Sequence, residues 1–168
     1  CLSLKYFSFQ PNSNLQLIYG SAFFNSSISS IVIPASVKEI RGFAFAHCHK
    51  LTKVEFQGES SLTQIWPNAF EDTSIEKIKI PRSVLFIGKR AFADCKCLKT
   101  FEFELEAFDI ESEDDTEKLR KELDELKEKQ KYFKLEDDVF AGSSIESFTI
   151  SEKIAKIQQG WFNGLNNL

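Results

Sequence analysis

The sequence has no methionine, only two histidines and only seven glycines. The scarcity of histidine and glycine excludes several kinds of active site. The glycines are scattered, so they do not form a phosphate-binding loop. Both histidines fall in one short stretch, and no Ser-His-Asp or Cys-His catalytic arrangement can be built from them. No run approaches the roughly 18 apolar residues of a membrane-spanning helix. We therefore expect no enzymatic activity, no cofactor and no direct membrane insertion.

Two short stretches look like metal-ligand pairs: His47-Cys48-His49 and Cys95-Lys96-Cys97. However, Cys1, Cys48 and Cys95 occupy one position of a repeat, two units apart, so stacked strands would place them roughly 10 Å from one another. That separation is too large for a disulfide, whose Cα atoms lie within ~7 Å, or for a shared zinc ion. The pattern predicts small apolar thiols that face the core, with the histidines and Cys97 in a turn and no metal site.

Phenylalanine is abundant instead, with 17 residues, and most of them follow a repeat. Residues 28–45 (ISSIVIPASVKEIRGFAF) and residues 75–92 (IEKIKIPRSVLFIGKRAF) keep the same apolar and proline spacing, 47 residues apart. One phenylalanine marks each unit: Phe23, Phe45, Phe70, Phe92, Phe140 and Phe162. The intervals alternate between 22 and 25 residues, except for one of 48. Both usual lengths lie in the ~20–29-residue range of leucine-rich repeats.

Each unit opens with an apolar residue that is followed by others three and five positions later. The six triplets are Leu4/Phe7/Phe9, Ile28/Ile31/Ile33, Leu51/Val54/Phe56, Ile75/Ile78/Ile80, Leu98/Phe101/Phe103 and Ile145/Phe148/Ile150. The last two members of a triplet are two residues apart and share one face of a strand. Stacked units therefore predict six parallel strands with one buried face, and the second half of each unit turns the chain back.

The positions between the buried residues face outward, and the central strands carry most of the charge there. Two interpretations stay open: a polar face that keeps the sheet soluble, or a broad concave binding surface of the kind that solenoids use. The candidate partner-binding residues on this face are Lys53, Glu55, Lys77, Lys79, Thr100 and Glu102. Three lysines balanced by two glutamates are too few for a nucleic-acid site, so nucleic acid is not an expected partner.

The interval of 48 residues contains 23 extra residues, which lie between Phe103 and Tyr132. Residues 114–131, DDTEKLRKELDELKEKQK, have no glycine or proline and predict a charged helical insertion at about 104–131. Leu119, Leu123 and Leu126 fall on one seam of that helix and are further candidate partner-binding residues. Residues 104–138 carry a net charge of −8, against +4 for the rest. A helix docked on the solenoid, a partner-binding or self-pairing helix, and a disordered segment all stay open.

The succession of Ala-Phe, Cys, Leu, Ile-x-Ile-Pro and Val-x-x-Ile-Gly resembles the BspA-like leucine-rich repeats, also called the Treponema pallidum type. The resemblance covers the whole chain except the insertion. It departs from the family pattern at Ser26, Thr73 and Ser143, which stand in the cysteine column. The resemblance implies a right-handed superhelix with a parallel β-sheet on one face. It also implies a family found largely on bacterial and trichomonad-type protozoan surfaces and associated with adhesion.

We thus expect residues 1–168 to form a single leucine-rich repeat domain, as a fragment of a longer array, with an inserted α-helix. The first functional hypothesis is a non-catalytic binding or adhesion module, at the cell surface or secreted, that contacts a protein or glycan through the sheet face. The alternative is an intracellular, cytoplasmic scaffold that recruits a partner through the helical insertion. A third hypothesis, the sensor portion of a larger receptor or kinase, depends on sequence beyond this chain.

Overall fold

The computed structural model describes residues 3–10, 12–104 and 133–149, together with residues 161 and 165. Ten short strands follow one another in this part of the chain: β1 (Leu17–Ile18), β2 (Ser30–Ile33), β3 (Glu39–Ile40), β4 (Lys53–Phe56), β5 (Gln64–Ile65), β6 (Lys77–Ile80), β7 (Phe86–Ile87), β8 (Thr100–Phe103), β9 (Lys134–Leu135) and β10 (Ser147–Phe148). They alternate between two parallel sheets, so each unit adds one strand to each sheet. The predicted repeat solenoid is confirmed.

The ladder sheet contains the longer strands in the order β10-β8-β6-β4-β2. Exposed and buried residues alternate along β2 and β6, as the period of two predicts. Ile31 pairs with Val54 and Ile78 pairs with Phe101, so the buried side chains form rows that continue from turn to turn. The inward and outward positions predicted for these strands are confirmed.

A second sheet was not predicted, because the second half of each unit was interpreted only as a turn. This short-strand sheet has the order β1-β3-β5-β7-β9, and each of its strands is two residues long. The second residue of each strand is buried, as Ile40, Ile65 and Ile87 illustrate. Two residues are too few for an alternating pattern to show in the sequence, so only the stacking of the turns reveals these strands.

The predicted number of six strands in the ladder sheet is wrong for the described residues, which contain five. Residues 3–10 form no strand, although Leu4 and Phe9 pack against the core. Phe7 is 39% exposed and contacts the rings of Phe9 and Phe23 edge-on. This segment adjoins the described solenoid on one side only, so a strand there would have half of the backbone partners of a central strand.

The five marker phenylalanines in the described residues, from Phe23 to Phe140, form a continuous stack inside the solenoid. Phe23, Phe45, Phe70 and Phe92 lie nearly parallel, with ring centroids 5.0, 5.1 and 5.2 Å apart. The next step, from Phe92 to Phe140, widens to 6.3 Å with a tilt of 22°. Phe101 lies edge-on to both rings, where the earlier turns carry an aliphatic side chain at the same register. The larger ring accounts for the wider step.

Each turn of the solenoid contains two residues with left-handed backbone, two positions before and two positions after its stacked phenylalanine. The second of these columns consists of Asn25, His47, Asp72, Asp94 and Gly142, with φ from 52° to 71°. Asn, Asp, His and Gly are the residue types that tolerate this conformation best. The column places the polar side chains of successive turns beside one another on one edge of the solenoid.

The solenoid continues in register beyond the insertion. β9 pairs with β7 through Phe86 and Lys134 and through Ile87 and Leu135, so the extra residues lie in the connection between β8 and β9. The predicted helix at about 104–131 falls in residues 105–132, outside the described residues. The described part of the chain contains no helix.

Candidate functional site

The outward face of the ladder sheet carries two rows of side chains that the strand pairing holds in register. One row runs through Ser30, Lys53, Lys77, Thr100 and Ser147. The other row pairs Val32 with Glu55 and Lys79 with Glu102. The structure therefore brings together the six candidate residues that the sequence predicted on this face. It does not describe Leu119, Leu123 or Leu126.

The charges on this face are arranged as two ion pairs and one remaining cation. Lys53 Nζ lies 2.7 Å from a carboxylate oxygen of Glu55, and Lys77 Nζ lies 3.0 Å from one of Glu102. Within the described residues, Lys79 forms no salt bridge. Exposed ion pairs of this kind contribute only about 0–1 kcal/mol, so the lysines can exchange partners at little cost. The face is nearly balanced in charge and does not resemble a polyanion-binding groove.

A shallow concavity lies at the centre of the ladder sheet, between β4 and β6. Four residue pairs join β2 to β4 and β6 to β8, whereas Lys53 and Lys77 are the only paired residues between β4 and β6. The concavity has a volume of about 430 Å³ and is lined by residues that include Lys53, Glu55, Lys77 and Lys79. The looser pairing thus coincides with a recess among the charged candidates.

Cys48 and Cys95, the members of the cysteine column that lie in the described residues, are buried as predicted, and their thiols also form hydrogen bonds that the prediction of small apolar thiols did not include. The Cys48 thiol donates a hydrogen bond to the carbonyl of Phe23 at 3.0 Å, and the Cys95 thiol donates one to Phe70 at 3.1 Å. The hydroxyl of Thr73 lies 3.2 Å from the Cys95 sulfur. The serine or threonine of one turn therefore pairs with the cysteine of the next, which explains why the column alternates between hydroxyl and thiol.

Burial raises the pKa of the Cys95 thiol to about 11, and it raises the pKa of Cys48 as well. Both thiols are free and buried, whereas Cys97 is free and exposed. A raised pKa keeps the buried thiols protonated near neutral pH, where they are poor nucleophiles and poor metal ligands.

The histidines lie in a turn, and the turn places them beside a carboxylate that sequence spacing did not connect with them. His47 Nδ1 lies 2.8 Å from Asp72 Oδ2, and His49 Nδ1 lies 3.7 Å from the same oxygen. Asp72 comes from the following turn, at the position that His47 occupies in its own. This proximity could have been predicted from the sequence, because His47 and Asp72 each stand two positions after a stacked phenylalanine and therefore occupy equivalent positions of successive turns.

Next to this cluster, Arg90 holds the neighbouring carboxylates. Its guanidinium lies 2.6 Å from Glu71 and 2.7 Å from Asp94. The hydrogen bond to Glu71 is the main reason that the pKa of Arg90 is raised further. Glu71 and Asp94 are therefore occupied by arginine, and Asp72 is left facing the two histidines.

A second surface feature, on the short-strand sheet, was not predicted from the sequence. The Arg41 guanidinium lies 4.6 Å from the ring centre of Trp66, and Phe86 meets the same indole edge-on at 5.9 Å. Trp66 also donates a hydrogen bond to Glu39 at 3.2 Å. Arg41 and Trp66 each follow the buried isoleucine of a short strand, so aligning the units on that isoleucine could have revealed the cluster.

In the described residues there is no helix with the length and hydrophobicity needed to cross a membrane.

One family model matches most of this chain. The family model of the BspA type leucine-rich repeat region matches six copies over residues 1–113 and 118–168. A search of the curated proteins finds no match.

Among solved structures, a leucine-rich repeat protein from Bacteroides capillosus is 27% identical, with 54% of this chain and 64% of that chain covered and a TM-score of 0.45. The pneumococcal vaccine antigen PcpA is 29% identical over 61% of this chain and 24% of that chain, with a TM-score of 0.45. A leucine-rich cell surface protein from Faecalibacterium prausnitzii is 26% identical over 61% and 34%, with a TM-score of 0.49. The chain thus spans less than two thirds of each of these proteins. Since the family model covers nearly all of the sequence, the chain belongs to the BspA type leucine-rich repeat family.

Proposed function

We propose that this chain is a non-catalytic protein-binding module that contacts its partner through the outward face of the ladder sheet. Members of the BspA type leucine-rich repeat family are non-enzymatic repeat proteins that generally mediate protein interactions. The observation that carries the proposal is the recess between β4 and β6, which is lined by exposed charged side chains of two neighbouring strands.

The charge arrangement favours a protein partner with a mixed polar surface. Two of the three lysines are already paired with glutamates, so the face can offer both signs of charge to a partner. Lys79 supplies the remaining cation. It lies opposite Glu102 in the register of β6 and β8. Thr100 and the exposed Val32 add neutral contact area around these charges. A glycan is a second possible ligand of the same face, whereas nucleic acid and a lipid bilayer are not proposed.

Adhesion at the cell surface, or in a secreted form, is the specific role that we propose for this module. The basis is the family, whose repeat proteins are often surface-associated. The alternative is a cytoplasmic scaffold that recruits a partner through Leu119, Leu123 and Leu126 of the insertion, and it is supported by the net charge of −8 over residues 104–138.

The test measures binding of the full chain to immobilised collagen, laminin and fibronectin by biolayer interferometry. For a matrix protein that binds, the double variant Lys77→Glu/Lys79→Glu is expected to lose at least about tenfold in affinity, which corresponds to about 1.4 kcal/mol. The control Lys38→Glu makes the same kind of charge reversal at an exposed lysine beside β3, on the other sheet, and should bind as the wild type does.

A third variant distinguishes binding through the sheet face from binding through the insertion. Replacing Leu119, Leu123 and Leu126 with serine should leave matrix binding unchanged if the sheet face is the binding surface. If this variant loses binding while the double lysine variant retains it, the sheet-face proposal is wrong and the insertion is the binding element. If none of the three matrix proteins binds the wild type, the adhesion role is rejected.

A further inference from the structure

The edge of the solenoid that carries His47, His49 and Asp72 combines three metal-ligating side chains from two successive turns. Each residue offers one ligand atom, and the three atoms lie within 4.8 Å of one another. The shortest separation is 2.8 Å, between His47 Nδ1 and Asp72 Oδ2. From this geometry we propose that these residues form a solvent-accessible binding site for a transition-metal dication of the zinc type.

The backbone fixes the two turns that carry the ligands. His47 and Asp72 have φ values of 58° and 54°, and each stands two residues after a stacked phenylalanine. The amide of His47 donates to the carbonyl of Glu71, and the amide of Asp72 donates to that of Ala93, both at 2.9 Å. The Cα atoms of His47 and Asp72 are therefore held in place, and these two residues reach a metal ion by side-chain rotation.

The ligand atoms need to move only a short distance to reach the spacing of a metal site. Zinc binds histidine nitrogen and carboxylate oxygen at about 2.0–2.2 Å, so the ligand atoms of a tetrahedral site lie about 3.3 Å apart. The side chains of His47, His49 and Asp72 are 40%, 61% and 36% exposed, which leaves them room to close on an ion. Three protein ligands also leave a coordination position open to water or to a group of a partner.

The ligand set selects the class of metal. Two imidazoles and one carboxylate suit zinc, nickel, cobalt or copper, whereas magnesium and calcium prefer a shell of oxygens. The neighbouring carboxylates of Glu71 and Asp94 are held by Arg90 and do not complete an all-oxygen site. The expectation of no metal site rested on the distance between cysteines and did not include Asp72, which lies 25 residues after His47 in the sequence.

The experiment titrates zinc into the full chain, prepared without a histidine tag and with Cys1 and Cys97 replaced by serine to remove thiol ligands. Isothermal titration calorimetry should show one zinc ion per chain. His49→Ala and Asp72→Asn should each weaken binding by at least about tenfold. Zinc should also raise the melting temperature of the parent protein, because it binds only the folded arrangement, and the same zinc concentration should raise that of Asp72→Asn less.

Asp94→Asn is the matched control. Asp94 occupies the same left-handed column one turn further on, and its carboxylate is paired with Arg90. This variant should bind zinc as the parent does. Cobalt bound at the site should give ligand-field absorption without a thiolate charge-transfer band, and magnesium and calcium should not compete.

Three results would overturn the proposal. The first is the lack of saturable zinc binding in the parent protein, which would leave His47 and Asp72 as a simple ion pair. The second is undiminished binding in both His49→Ala and Asp72→Asn. The third is an equal loss of affinity in Asp94→Asn, which would indicate a diffuse electrostatic effect instead of coordination by the three side chains.

Discussion

Adjacent residues of one ladder strand have opposite roles, and β6 shows this most clearly. Ile78 is 1% exposed and is paired with Phe101 across the sheet, while Lys79 faces solvent. A residue buried between two turns loses packing on both sides when it is truncated, whereas an exposed lysine loses little.

Replacing Ile78 with alanine should therefore lower the free energy of unfolding by about 2–5 kcal/mol. Replacing Lys79 with alanine should change it by less than about 0.5 kcal/mol. Urea titrations followed by circular dichroism measure both values. Equal destabilisation by the two substitutions would contradict the inward and outward assignment of β6.

The buried thiol of Cys95 makes the stability depend on pH in the alkaline range. Its pKa rises from an ordinary 9.0 to about 11 because burial disfavours the thiolate. Between these two values the unfolded chain has lost a proton that the folded chain keeps, so the free energy of unfolding falls as pH rises. One proton contributes at most about 1.4 kcal/mol per pH unit.

The measurement is the urea midpoint of the wild type and of two cysteine variants at several pH values from 9 to 11, and the slopes of midpoint against pH are compared. Cys95→Ala should show a shallower decline than the wild type, whereas Cys97→Ala, which changes an exposed thiol, should keep the wild-type slope. Parallel slopes for Cys95→Ala and the wild type would rule out a contribution from this group.

A site-resolved alkylation experiment at pH 8 should label Cys97 rapidly and leave Cys48 and Cys95 unlabelled until denaturant is added.

At the scale of the element, the connection between β8 and β9 is the one that departs from the repeat. β9 nevertheless pairs with β7 in the register that β7 keeps with β5. The short-strand sheet thus tolerates a long connection at this position, because the pairing partners of β9 are set by the preceding turn and not by the connection itself.

Deleting residues 107–129 should therefore leave a folded solenoid. The remaining residues 104–106 and 130–133 equal in length the connection between β4 and β5, residues 57–63. A shorter loop costs slightly less closure entropy, so the free energy of unfolding should stay within about 1 kcal/mol of that of the wild type. Circular dichroism should retain the sheet signal and lose the helical component that the sequence predicts.

Leu135→Ala serves as the control, because Leu135 is fully buried in β9 and its truncation should cost about 2–5 kcal/mol. An aggregated or unfolded deletion variant would show that the insertion is part of the core.

At the scale of the whole molecule, the turns are coupled through their neighbours, as in other repeat proteins. The phenylalanine stack links four turns at 5.0–5.2 Å, and Phe101 bridges Phe92 and Phe140 where that stack widens. Beyond it, the buried Trp161 donates a hydrogen bond to the carbonyl of Leu135 at 3.0 Å. These contacts extend the core past the insertion.

The described solenoid should accordingly unfold as one cooperative unit. In the variant Trp66→Phe, Trp161 is the only tryptophan, and its fluorescence reports the turn beyond β9. The urea midpoint of this fluorescence should coincide with the midpoint measured by circular dichroism, because Phe101 contacts both Phe92 and Phe140 where the stack widens. A separate fluorescence transition at lower urea concentration would show that the turns after the insertion melt on their own.

The sequence alone determined the solenoid, the ladder sheet and its inward and outward positions. These features depend on local periodicity: residues two apart on a strand share a face, and a fixed interval places equivalent residues in one column. Ile78 and Lys79 could therefore be assigned to opposite faces from their spacing within the repeat. The position of the insertion followed in the same way, from the single interval that exceeds the others.

The tertiary structure decided what depends on contacts between turns. The two-residue strands exist only because the neighbouring turns offer hydrogen-bonding partners, and their length hides them from any periodic pattern. The thiol of Cys95 reaches the carbonyl of Phe70, 25 residues away, and Asp72 reaches His47 across a similar distance in sequence. Such contacts depend on the pitch and lateral offset of stacked turns, which are set by the packing of the phenylalanine column and not by any residue's immediate neighbours.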